Sequence, residues 1–135
     1  MPPLTRWFLK AAMVYLLLAL TAGILLMSPI KGPVTGFFPA YFHMLTFGWL
    51  TQLIYGVAFW MFPKYTIAKP RGHEWLGWAT FISFNSGLLL RIVAEPINAA
   101  APSALLGWAL VASAILQWLS GLGFAINTWK RVKER

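Results

Sequence analysis

The sequence predicts an all-α membrane protein, a four-transmembrane-helix bundle with both termini cytoplasmic, and three observations carry that prediction. Of the 135 residues, 59% are hydrophobic and only 10% charged, a balance foreign to soluble domains. Each long apolar run matches the roughly 20 residues that a helix needs to cross a hydrocarbon core about 30 Å thick. Prolines and short polar connections cut the chain into four such runs. Residues 1–135 therefore read as a single transmembrane domain, with no part left over for a soluble one.

The first helix is expected over about residues 7–27, stopped by Ser28-Pro29. Arg6 and Lys10 ahead of it imitate a signal peptide, but no small-x-small cleavage site follows Met27, so the helix is expected to be retained. A connection containing Lys31, Gly32, Pro33 and Gly36 leads to the second helix, about 38–62, which Pro63 ends. The stretch "PKYTIAKPRGHE" carries Lys64, Lys69 and Arg71 into the third helix, about 75–95, where Pro96 is expected to stop it. Pro102 suits the first turn of the fourth helix, about 103–129, and the tail "KRVKER" reads as a solvated basic end.

The net charge of +8 is best explained by topology, and no nucleic-acid partner is expected. Lysines and arginines gather at the N-terminus, the second connection and the C-terminus, which by the positive-inside rule puts all three in the cytoplasm. Trp7, Trp60, Trp75 and Trp129 fall at that same boundary, as an interfacial aromatic belt does. Membrane lipid is thus the first partner. The absence of cysteine excludes disulfides, thiolate metal sites, iron-sulfur clusters and covalently attached c-type heme.

Few polar residues fall inside the crossings. Thr46, Thr51, Gln52, Tyr55, Ser83, Asn85, Ser86 and Gln117 are expected to bond to a neighbouring helix or to their own backbone. His43 and Arg91 stand apart, because ionisable side chains at this depth are costly and tend to mark a function. At a rise of about 1.5 Å per residue, His43 lies roughly 7 Å below the outer start of its helix and Arg91 about 6 Å below the outer end of its own. They share a level. A neutral imidazole can ligate heme iron and an arginine beside it can pair with a propionate, so the two together suit a b-type heme near the outer leaflet. The structural alternatives are an interhelical hydrogen bond for His43, and for Arg91 either snorkelling to the interface or pairing with Glu95 four residues on. Gly48 and Gly56 bare the backbone of the second helix, which admits either a flat macrocycle or another helix. Met44 points about 100° away from His43 and is expected to pack in the core. His73 falls a membrane thickness away, at a solvated helix start. Gly121 and Ala125 form a small-xxx-small pair suited to close helix approach.

The run "FHMLTFGWLTQLIYGVAFWMFP", with His-x-x-x-x-Gly-Trp, resembles the second transmembrane helix of the catalytic subunit of heme-copper oxidases, in particular the branch close to nitric oxide reductases. The flanking "RWFLKAAMVYLLLAL" and "KPRGHEWLGWATFISFNSGLLLRIVAEP" look like small four-helix proteins grouped with subunit I of those enzymes. The resemblance implies that His43 is a ligand of a b-type heme, in a protein of a prokaryotic inner membrane. It also carries a large departure. The catalytic subunit has about twelve helices and several further histidines, whereas His43 is the only histidine within these crossings, so no heme-copper oxygen-reducing centre is expected. Two copies related by a two-fold axis can hold one heme between two His43 side chains, which makes a homodimer the expected state.

Three functional readings follow. The leading one is a b-type cytochrome that transfers electrons, with quinone or another respiratory subunit as partner and His43, Arg91 and Gly48 at the heme. The second is a cofactor-free accessory or scaffold subunit of a respiratory complex, and the third a membrane protein that binds a small molecule or lipid. Catalysis by the chain alone has no residues to support it: Glu74, Glu95 and Glu134 form no carboxylate pair and no nucleophile sits beside a base. The topology is directly testable. A C-terminal green fluorescent protein fusion is expected to fluoresce, and alkaline phosphatase joined within residues 101–103 to be active; the opposite pattern inverts the orientation.

Overall fold

The computed structural model describes residues 1–29, 36–67 and 72–132, and every element in them is helical. Four helices are long and apolar enough to cross a membrane: α1 (Pro3–Met27), α2 (Phe37–Met61), α3 (Glu74–Ala100) and α4 (Ala104–Trp129). The expectations placed on Lys31, Gly32, Pro33, Lys69, Arg71 and the last three residues lie outside the described residues. The start of α1 and the end of α4 meet at one end of the bundle, since Thr5 and Asn127 line the same cavity. That end is called the termini end below.

Several helix boundaries differ from expectation. Helix α1 starts at Pro3, because prolines at the first positions have no amide to leave unmatched and a preset φ. Helix α3 does not stop at Glu95; it runs through Pro96 to Ala100. A proline inside a helix forfeits one hydrogen bond and crowds the preceding turn. Here it lies in the last two turns, and the entry to α2 packs on it: a Cβ on Gly36 would sit 2.5 Å from Ala99 Cβ and 2.9 Å from Pro96 Cα. Glu95 is thereby inside a helix and not at its end. Helix α4 starts one residue later than expected, with Ser103 as N-cap accepting from the Leu106 amide at 3.2 Å, so Pro102 precedes the cap.

Helix α1 buries Thr5, Phe8, Ala12, Tyr15, Ala19 and Ala22, alternating steps of three and four that trace one stripe along an α-helix. Helix α2 buries Ala40, Met44, Gly48, Gln52 and Gly56, every fourth residue. On a regular helix each step of four drifts by about 40°, so four steps would carry the stripe to the opposite face. The chain resolves this by turning π-helical over Met44–Thr51, where wider turns offset the drift. The Gln52 amide bonds to Phe47 O, five residues back, and the Thr51 hydroxyl donates to Thr46 O at 2.8 Å. Met44 packs in the core with Tyr15, Ala19, Ala22, Phe84 and Leu88.

Helices α3 and α4 pack through small and hydroxyl residues rather than through Gly121 and Ala125. A Cβ on Gly87 would lie 2.9 Å from Ser113 O, and one on Gly123 2.8 Å from Thr80 Oγ1. Ser113 and Ser120, both fully buried, donate across the interface to Gly87 O at 2.7 Å and Thr80 O at 3.0 Å. Gly121 instead leaves room for Tyr55, whose ring stacks on Phe124 with centroids 3.9 Å apart. At the termini end Arg131 is buried and donates to Phe59 O, Phe62 O and Pro63 O, so it matches the last carbonyls of α2. Gly72, at a φ of +74° that favours glycine, leads into His73, whose backbone N–H and C=O are both held by the Asn127 amide.

Large apolar side chains on all four helices remain exposed, among them Leu17, Ile54, Leu89 and Ile115, as a bilayer-facing perimeter requires. Trp7, Trp60, Trp75 and Trp129 are all exposed at the termini end. Gly48 lies close against α1, where a Cβ would meet Tyr15 Cγ at 2.7 Å and Cβ at 2.8 Å. Gly48→Ala is therefore expected to cost about 1–3 kcal/mol by overpacking. The exposed Leu50→Ala should stay within about 0.5 kcal/mol. Thermal unfolding in detergent measures both, and equal stability of the two variants would contradict the packing.

Candidate functional site

The site is set by three helices at the end of the bundle away from the termini. His43 leaves α2 on the residue before the π-helical segment begins, and α3 supplies Arg91 and Glu95 from successive turns of one face. Both nitrogens of the imidazole are engaged. Nδ1 lies 3.0 Å from Glu95 Oε2, and Nε2 lies 3.2 Å from Arg91 Nη1. A guanidinium can only donate and a carboxylate accepts, so this pairing assigns the ring proton to Nδ1 and leaves Nε2 as the acceptor. Arg91 Nη1 is also 3.5 Å from Glu95 Oε1, which closes the trio into a ring of contacts.

Helix α4 completes the arrangement. Arg91 Nε donates to Ser113 Oγ at 3.2 Å, and the Ser113 hydroxyl in turn donates to Gly87 O. The three ionisable side chains are mostly covered, at 21% exposed for His43, 20% for Arg91 and 15% for Glu95. The opposite formal charges of Arg91 and Glu95 offset each other within the site. That balance is what a site surrounded by apolar helix faces needs.

The sequence placed His43 and Arg91 at one level, and the structure brings them into direct contact. The contact between Arg91 and Glu95 is the pairing expected within the helix. Gly48 serves the approach of another helix, since it faces Tyr15 of α1, and Gly56 does the same against Phe8. His73 stands at the termini end, far from His43 along the bundle, as expected. The threonines, Ser83 and Asn85 mainly bond to their own backbone, through Thr46 to Phe42 O, Thr51 to Thr46 O, Ser83 to Thr80 O and Asn85 to Phe81 O. Gln52 reaches across to Asn85 Oδ1 at 3.3 Å.

Two contacts of the site carry no signal in the sequence. Glu95 is expected to pair with Arg91, and its contact with His43 is new. Ser113 carries no signal of its own beyond being a small hydroxyl residue on an apolar helix. Comparison with known proteins adds no template: no family model matches the chain, and neither a curated protein nor a solved structure matches it.

The pairing of Arg91 with Glu95 has a measurable signature. Removing one member leaves its partner charged without a match, so Glu95→Leu alone is expected to destabilise by about 3 kcal/mol, whereas Arg91→Leu with Glu95→Leu should recover much of that loss. Thermal unfolding of the two single variants and the double variant gives the coupling. Strict additivity would show that the pair does not act as a unit.

Proposed function

We propose that the chain is a b-type heme-binding integral membrane protein of electron-transfer character, in which His43 would hold the iron through Nε2. One observation carries the reading: the 3.0 Å contact of His43 Nδ1 with the Glu95 carboxylate. Metal-ligating histidines commonly give their other ring N–H to a carboxylate, which fixes the tautomer and raises the basicity of the free nitrogen. His43 is held in that tautomer. Its position among apolar helices, where ionisable groups tend to be functional, supports the same reading.

The residues fit the group in donor chemistry, with one side chain obliged to move. Arg91 covers Nε2, so its guanidinium has to swing off the ring for the ligand position to open. Arg91 then presents a planar cation of the kind that pairs with a propionate. Ser113 and Glu95 hold it in the closed arrangement. Heme bound at His43 would supply one-electron chemistry. The chain offers one intramembrane imidazole, so a second histidine for the heme would come from another copy, and a homodimer remains part of the proposal. The basic residues toward the termini favour a cytoplasmic placement of that end, in a prokaryotic inner membrane with quinone or a respiratory subunit as redox partner.

A second reading rests on the contact of Nε2 with Arg91: a cofactor-free accessory subunit in which the trio only locks α2 to α3. The two separate cleanly. The protein, expressed with heme supply and purified in mild detergent, is expected to show a sharp reduced α band, lost in His43→Gln while the helical circular-dichroism spectrum persists. A folded, colourless wild-type protein would overturn the heme reading and leave the lock.

A further inference from the structure

Lys10 is set unusually deep for a lone cation. It lies three residues further into α1 than Trp7, about 4.5 Å along the axis, and is exposed beside the exposed apolar side chains of Met13, Val14 and Leu17. Trp7 stands at the interface with Trp60, Trp75 and Trp129. An ammonium below that level faces hydrocarbon unless its stem carries it back toward the headgroups to meet an anion there. The protein supplies no such anion. Among the described residues neither Lys10 nor Arg6 forms an ion pair or a side-chain hydrogen bond. Of the acids in the described residues, Glu95 is engaged with His43 and Arg91 at the other end of the bundle, and Glu74 belongs to the start of α3.

Pro3, Arg6, Trp7 and Lys10 follow the three- and four-residue spacing of one helix face, and together they line a crevice of about 110 Å³ at the termini end. Side chains on a helix lean toward its N-terminus, so the stem of Lys10 runs back over Arg6 and Trp7, the direction of the headgroups. From this convergence we infer that the crevice holds the phosphate of an anionic phospholipid. The Arg6 guanidinium is a planar fork that matches two phosphate oxygens, the Lys10 ammonium adds a second cation one turn below it, and the Trp7 indole offers an N–H. The phosphate in turn gives Lys10 the counter-charge that the protein withholds.

The surroundings favour a lipid over a soluble phosphate. Val14 and Leu17 continue the face of Lys10 along α1 and are both exposed, so acyl chains hanging from a phosphate in the crevice have an apolar track to follow. A soluble phosphate uses none of it. Charge then selects among lipids. No carboxylate lines the crevice, so a zwitterionic headgroup brings an ammonium that finds two cations and no acceptor side chain there, whereas a glycerol headgroup brings only hydroxyls and leaves the net negative charge intact. Basic side chains at a membrane surface attract anionic lipids for the same reason; here two of them share one crevice with an indole.

The test uses the whole chain purified in detergent and offered phosphatidylglycerol, phosphatidylethanolamine and phosphatidylcholine in equal amounts, with bound lipid read by native mass spectrometry. Phosphatidylglycerol is expected to be retained about three- to tenfold over either zwitterionic lipid. Arg6→Gln and Lys10→Gln, both at exposed positions, should each lower that preference, while Lys130→Gln, which removes an exposed cation at the same end but outside the crevice, leaves it unchanged. Equal retention of the three lipids would overturn the inference. A loss in Lys130→Gln as large as in Lys10→Gln would overturn it as well, because the overall charge of that end would then be the attractant. So would inorganic phosphate raising the unfolding temperature as much as phosphatidylglycerol does, because the ligand would then be a soluble anion.

Discussion

An ionised side chain at the centre of a transmembrane helix costs about 2.5–3.5 kcal/mol even on the most lenient scale, and the half of this bundle away from the termini contains Arg91 and Glu95. The structure meets that cost by pairing. Arg91 and Glu95 neutralise each other along α3, and His43 is wedged between them as a neutral bridge. Much of the fold can be understood from this one constraint. Helix α3 has to continue past Pro96 so that Glu95 is presented from a helical turn, and α4 has to approach closely enough for Ser113 to take the remaining Arg91 donor.

Close approach is obtained without large side chains. Gly87, Gly123, Ser113 and Ser120 let the backbones of α3 and α4 come together, and their hydroxyl bonds are of the kind that holds helices in lipid, where burial of apolar surface gives no advantage. Helix α2 reaches the same end by a different route. From Ala40 to Gly56 its buried residues recur every fourth position, and the π-helical segment keeps them on one side while His43, just ahead of it, faces α3. Such segments are frequent at functional sites. In this chain the segment joins the packing of Gly48 on Tyr15 to the aim of the imidazole one turn away.

The four spans were legible in the sequence because apolar length and proline punctuation are strong, local signals. The meeting of His43 and Arg91 was legible as well, from nothing more than equal depth. The contact of His43 with Glu95 was not, since it joins two helices and no local pattern in either one announces it. The π-helical turn left a trace that could have been read: Ala40, Met44, Gly48, Gln52 and Gly56 at steps of four fit no regular α-helix. Gly121 with Ala125 offered a clear small-residue pattern, yet Gly123 and Ser120 make the interface, because which face of α4 meets α3 depends on partners the local pattern does not contain.

The central claim is that Glu95 holds His43 as the Nδ1–H tautomer, with Nε2 free of a proton. The chain has two histidines, so His73→Gln leaves a single imidazole to observe by ¹⁵N nuclear magnetic resonance of the protein in lipid. One protonated and one unprotonated ring nitrogen is expected, with the protonated one assigned to Nδ1 and its signal moving in Glu95→Gln. A proton on Nε2, or an imidazole spectrum indifferent to Glu95, would contradict the account, because the tautomer would then not be under the control of the carboxylate.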